Sequence, residues 1–63
     1  MRRSGYVFEW WVGDHPPRHV HVSDGNGRFL GRIAIATLQP LDDWVPPRIV
    51  VSTVQDLIAE GRL

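Results

Sequence analysis

A chain of 63 residues with no cysteine must hold itself together without the covalent staples that small domains often use. It can build neither a disulfide framework nor a thiolate metal site. A domain of this size buries only about 60% of its unfolded surface. Ordering each residue costs roughly 1.5 kcal/mol, which apolar burial only narrowly offsets. Three supports remain: aromatic burial, a metal held by other ligands, or a partner chain. Trp10, Trp11 and Trp44 supply large apolar area, and the three histidines are available as ligands.

Length also limits function. Residues 1–63 make one domain, too short for a dinucleotide-binding unit with a substrate domain. No apolar run approaches the ~20 residues of a membrane span. The basic start, Met1 to Gly5, is not followed by the apolar stretch and cleavage site of a secretory signal, so a cytoplasmic location is expected. Seven arginines, with no lysine, balance seven acidic residues. Bulk charge therefore cannot drive nucleic-acid binding, although a local basic face can.

Periodicity predicts three strands. From Tyr6 to Val12, the residues Tyr6, Phe8, Trp10 and Val12 alternate with Val7, Glu9 and Trp11. Residues 1–4 before it read as a flexible tail. Gly13-Asp14-His15-Pro16-Pro17 ends the strand, because proline cannot donate to a ladder. Arg18 to Ser23 is the second strand, with His19 and His21 on one face and Val20 and Val22 on the other. The turn Asp24-Gly25-Asn26-Gly27 leads into a third strand, Arg28 to Ala36. Phe29, Gly31, Ile33 and Ile35 fall on one of its faces.

A helix is expected from Arg48 to Glu60, with Pro46 or Pro47 in its first turn and Gly61 as its C-cap. Ile49, Val50, Val54, Leu57 and Ile58 form its apolar stripe. The predicted fold is α+β: a three-stranded antiparallel sheet with one C-terminal helix packed on one face, in the order βββα. Val20, Val22, Ile33, Ile35 and one set from the first strand would be the core. The other face would carry His19, His21, Arg28, Arg32, Glu9 and Trp11. A third strand at the sheet edge would allow a homodimer by strand pairing.

The chemistry concentrates in Asp14-His15-Pro16-Pro17-Arg18-His19-Val20-His21-Val22, where all three histidines lie within seven residues. Alternate strand residues have Cα atoms about 6.5–7 Å apart, which lets two imidazoles converge on one ion. His15, His19 and His21 thus form a candidate site for a divalent metal such as zinc, with Asp14 as another loop ligand. The same residues fit metal-free acid–base chemistry on RNA. His19 and His21 would move protons, with His15 and Asp14 in support. Arg18, Arg28 and Arg32 would contact phosphate, and Trp11 would stack a base. A loop histidine after an aspartate often only caps a turn, and strand histidines often face water with no role. Three together beside an acid carry more weight than one.

This stretch, with its aromatic first strand and Pro-initiated helix, resembles the bacterial domain-of-unknown-function 4160 family. That family's pattern is an acid, often a histidine, then Pro-Pro-His-Phe-His-Val. Arg18 stands where the family commonly has histidine, and Val20 replaces the usual aromatic. The resemblance implies a small component of a toxin–antitoxin-like module, paired with a second small protein from a neighbouring gene. It raises the prospect of RNA binding or a ribonuclease-like activity at the His/Arg face. A metal-binding domain, structural or hydrolytic, and a non-catalytic interaction module remain the alternatives.

Overall fold

Turn residues decide the sheet. In the computed structural model, which describes residues 1–63, Ser4 and Gly5 both take positive φ, 57° and 82°. Two successive left-handed residues make the tight turn that suits a twisted hairpin. The turn folds Arg2–Arg3 (β1) onto Tyr6–Glu9 (β2), pairing Arg2 with Val7 and Arg3 with Tyr6. The expected flexible tail is therefore an edge strand, and the sheet has four strands, not three. Two residues are too few to show any periodicity. The Thr53 hydroxyl, 2.9 Å from Ser4 Oγ, and the Arg3–Glu60 ion pair at 2.8 Å tie this hairpin to the C-terminal part of the chain.

The remaining strands are His19–Asp24 (β3) and Phe29–Ala34 (β4), giving an antiparallel meander in the order β1-β2-β3-β4. Asp24 Oδ1 accepts the Asn26 and Arg28 N–H groups and closes the β3–β4 turn. The ladder pairs Val22 with Gly31 but Ser23 with Phe29, which leaves Leu30 as an extra residue. Such a bulge reverses the alternation beyond it. Phe29, expected beside Ile33, instead shares the Ser23 side of the sheet. β2 also ends at Glu9, not Val12: its ladder with β3 stops at the Glu9–His21 pair although β3 runs on to His19, and Val12 is fully exposed.

At the end of β4 the chain doubles back. Leu38 takes φ 60° and its N–H donates to Ala34 O. Ile35 therefore lies outside the core cluster in which it was expected. The returning segment covers the outer edge of β4. Leu41 N–H donates to Arg32 O, Asp42 Oδ2 accepts the Arg32 N–H, and Gln39 O accepts the Ala34 N–H. The edge expected to support a strand-paired homodimer is thus occupied along Arg32 to Ala34. Trp44 then lies across Gly31, where a Cβ would come within 2.3 Å of its Nε1. Only glycine leaves room for that indole, whose N–H donates to Arg32 O at 3.1 Å.

The helix, Arg48–Ala59 (α1), has Pro47 as its N-cap residue. Its C-terminus has two closing bonds, Gly61 N–H to Ile58 O and Arg62 N–H to Leu57 O, with Gly61 at φ 75°. This is the Schellman arrangement that favours glycine. Val50, Thr53, Val54 and Leu57 form the buried stripe, at i, i+3, i+4 and i+7. Ile49 and Ile58, also expected there, sit at its exposed margins. The stripe meets Phe8, Val20, Val22 and Ile33 from the sheet in one core, with Tyr6, Trp10 and Trp44 packed around it. No helix is long and apolar enough to cross a membrane.

Candidate metal centre

Strand alternation places His19 and His21 on the sheet face opposite α1. The loop returns Asp14 to the same place, past Gly13 at φ 83°. Asp14 Oδ2 lies 3.1 Å from His19 Nε2 and 3.6 Å from His21 Nε2. The two Nε2 atoms are 3.1 Å apart. His19 is almost wholly buried, its side chain 2% exposed, whereas His21 and Asp14 keep 28% and 29%.

Hydrogen bonding orients the buried ring. His19 Nδ1 lies 2.7 Å from Pro17 O, and a carbonyl can only accept, so Nδ1 carries the hydrogen. In the neutral ring Nε2 then presents a lone pair toward the Asp14 carboxylate and the second imidazole. The carboxylate oxygen and the two imidazole nitrogens face one point, where either an N–H of His21 or a metal ion can bridge them. Ligands held about 2.0–2.2 Å from a tetrahedral zinc lie roughly 3.3–3.5 Å from one another. The three observed separations bracket that range.

His15 stays outside. Its side chain is 78% exposed, and its Nδ1 sits 3.3 Å from the other carboxylate oxygen, Asp14 Oδ1. Its backbone N–H also donates to Oδ1 at 3.0 Å. The donor atoms of Asp14, His19 and His21 all lie within 4.8 Å, so of the two expected loop ligands the structure brings Asp14 to the pair and leaves the His15 ring outside. Residue 15 orients the carboxylate instead. Partial burial pushes the Asp14 carboxyl up, but the His15 N–H, the positive potential of His19 and the bond to His21 outweigh it. The carboxyl is held below its usual value and stays anionic.

The proposed phosphate contacts separate. Arg32 is committed to Asp42: Nη2 donates to Oδ1 at 2.9 Å and Nε to Oδ2 at 3.1 Å. It braces the loop and is not free for a phosphate. Arg28 is exposed in the β3–β4 turn, at the end of β3 away from His19. Arg18 has no carboxylate partner and remains beside the cluster. Trp11, 57% exposed, packs edge-on against His21 with ring centroids 4.8 Å apart. Phe29 approaches His21 from another side at 6.1 Å.

A cavity of about 220 Å³ opens beside the cluster, with Asp14 and His19 in its wall. Trp10, Trp11, Arg18, Ile35 and Arg62 complete much of the lining. Sequence reasoning missed Arg62, because nothing local links a residue after the helix to the histidine loop. It also missed Asp42 as the partner of Arg32. The only available signal was an unpaired loop acid ten residues from an arginine.

The Arg32–Asp42 pair gives a pH prediction. The Arg32 hydrogen bonds hold the Asp42 carboxyl below its usual value against the opposing effect of burial. The pair's stabilisation is fully present above the ordinary carboxylate value of about 3.9 and is lost as pH falls through the depressed one. Wild-type protein should melt above Asp42→Asn by a constant margin from pH 5 to 8. The margin should shrink below about pH 4. Melting curves across that range check this, and a margin unchanged at the acid end would exclude the ion pair as its source.

No family model, curated protein or solved structure matches the chain. What fold and site define is a class: a small antiparallel α+β domain with a His-His-Asp cluster on its open sheet face.

Proposed function

We propose that this protein is a divalent-metal domain, with zinc as the fitting ion, whose site is built for hydrolysis. The observation that carries this reading is the convergence of Asp14 Oδ2, His19 Nε2 and His21 Nε2, separated by 3.1, 3.1 and 3.6 Å. The Pro17 carbonyl on His19 Nδ1 adds the outer hydrogen bond that metal-bound histidines commonly make. Structural zinc sites usually close with four protein ligands, whereas catalytic ones keep three and leave a position open. Three donors beside a cavity fit the second pattern. A zinc ion there would lower the pKa of its bound water to about 7.

The test is stoichiometry. Tag-free protein dialysed against zinc and then against buffer should retain one ion per chain, measured by mass spectrometry. Asp14→Asn and His21→Ala should retain almost none. Wild-type protein that retains none overturns the reading.

A second reading is favoured by Arg18, free of any carboxylate, beside the exposed Trp11 ring on His21. Here the protein is a component of a toxin–antitoxin-like module that acts on RNA, as the family resemblance implies, with its partner encoded nearby. Arg18 would contact phosphate and Trp11 would stack a base next to the paired imidazoles. Induced expression should then arrest growth, and co-expression of the neighbouring gene should relieve it. The His19→Ala/His21→Ala variant should do neither. Absence of both arrest and rescue would leave this reading without support.

A further inference from the structure

We propose that the cavity beside the Asp14–His19–His21 cluster binds a phosphomonoester, held by Arg18 and Arg62 with its planar body against Trp10 and Trp11. This deepens the metal reading and rests on it. The same chemistry is presented by a free mononucleotide and by the phosphorylated end of a short RNA strand.

Charge around the cavity supports an anion. Arg18 is exposed and makes no ion pair. Glu60 is shared, its Oε2 2.8 Å from Arg3 Nη1 and its Oε1 2.9 Å from Arg62 Nε. One carboxylate between two guanidiniums leaves net positive charge, and the outer nitrogens of Arg62 stay available. Asp14 is the one carboxylate lining the cavity, against the guanidiniums of Arg18 and Arg62. Two cationic groups thus face one anionic group there. A phosphomonoester carries close to two negative charges at neutral pH, and its oxygens suit forked guanidinium donors. A carboxylate carries only one charge.

Shape sets the rest. About 220 Å³ admits a phosphate with a sugar or a small ring and is far too small for a duplex. Trp10 and Trp11 also line a second, more open depression of about 350 Å³ that shares Arg62 and is walled on one side by Glu9. A planar base extending from the first cavity would meet indole surface there. The metal's open position and the two arginines would then engage the same phosphate from different sides.

The probes are adenosine 5′-monophosphate, adenosine, inorganic phosphate, and a four-nucleotide RNA with either a 5′-phosphate or a 5′-hydroxyl. Each is titrated into the full chain, with and without zinc, and followed by tryptophan fluorescence and calorimetry. Adenosine 5′-monophosphate should bind at least tenfold more tightly than adenosine, and more tightly with zinc than without. Arg18→Ala and Arg62→Ala should each weaken it about tenfold, and both are surface changes that leave the core intact. Tighter binding of the 5′-phosphorylated RNA than of the mononucleotide assigns the strand end, and the reverse assigns the free nucleotide. Either result supports the pocket. Equal binding of nucleotide and nucleoside, or wild-type affinity in both arginine variants, overturns it. Zinc retention is measured in parallel. Protein that keeps zinc but ignores phosphate overturns this inference alone. Protein that takes up no zinc yet binds the nucleotide overturns the metal reading and leaves the arginine pocket supported.

Discussion

Zinc at a hundredfold excess over its dissociation constant should raise the melting temperature of the wild-type protein by roughly 10–20 °C. A ligand that binds only the folded state stabilises it by about 2.7 kcal/mol at that saturation. For a domain of this size each kcal/mol moves the midpoint by roughly 4–8 °C. The effect is large because the chain is short. The site depends on folding, since Asp14 reaches His19 and His21 only through the loop and the β3 register. His19→Ala/His21→Ala should show no zinc-dependent rise. Removing the buried His19 will also lower the baseline, so the quantity to compare is the shift on adding zinc. Asp14→Asn, nearly the same shape, should lose most of the shift with little change in baseline. A full shift in the double variant would mean that zinc binds elsewhere.

Phe8→Ala should cost about 3–5 kcal/mol, the usual range for truncating a buried phenylalanine. Phe8 is fully buried, opposite Val22 on the central ladder and in the cluster with Val50, Val54 and Leu57. At roughly 0.05–0.15 kcal/mol per residue, the whole domain holds about 3–9 kcal/mol. The variant should therefore lose a third or more of its stability, read as a lowered midpoint in denaturant by circular dichroism. Val12→Ala, at a fully exposed position, should melt as wild type does. A loss below about 1 kcal/mol for Phe8→Ala would mean that the core does not close on that ring.

Much of this core is legible in the amino-acid order. Alternation on β3 separates Val20 and Val22 from His19 and His21, and the helical period finds Val50, Val54 and Leu57. Gly61 announces the helix end. What is illegible depends on contacts distant in sequence or on single-residue irregularities. The bulge at Leu30 turns Phe29 over, and no period contains an insertion. The β1 hairpin depends on two positive φ values at Ser4 and Gly5. At the site, strand spacing predicts the histidine pair. The choice between Asp14 and His15 as the third group is made by loop geometry, which residue types do not encode. Arg32 has the composition of a ligand contact, but Asp42, from a distant turn, claims it.

The covered margin of β4 has a consequence for the protein at high concentration. Exposed strand edges are where native sheets template one another into fibrils. Here one margin is closed from Arg32 to Ala34 by the Gln39–Asp42 segment, which carries Pro40. The other is only two residues long, Arg2 and Arg3, and the Arg3 side chain is held by Glu60. On β4 the stretch left uncovered is Phe29–Leu30, where the bulge already distorts the ladder. The chain path that keeps the helix off the histidine face thus also leaves little free strand edge for a second copy.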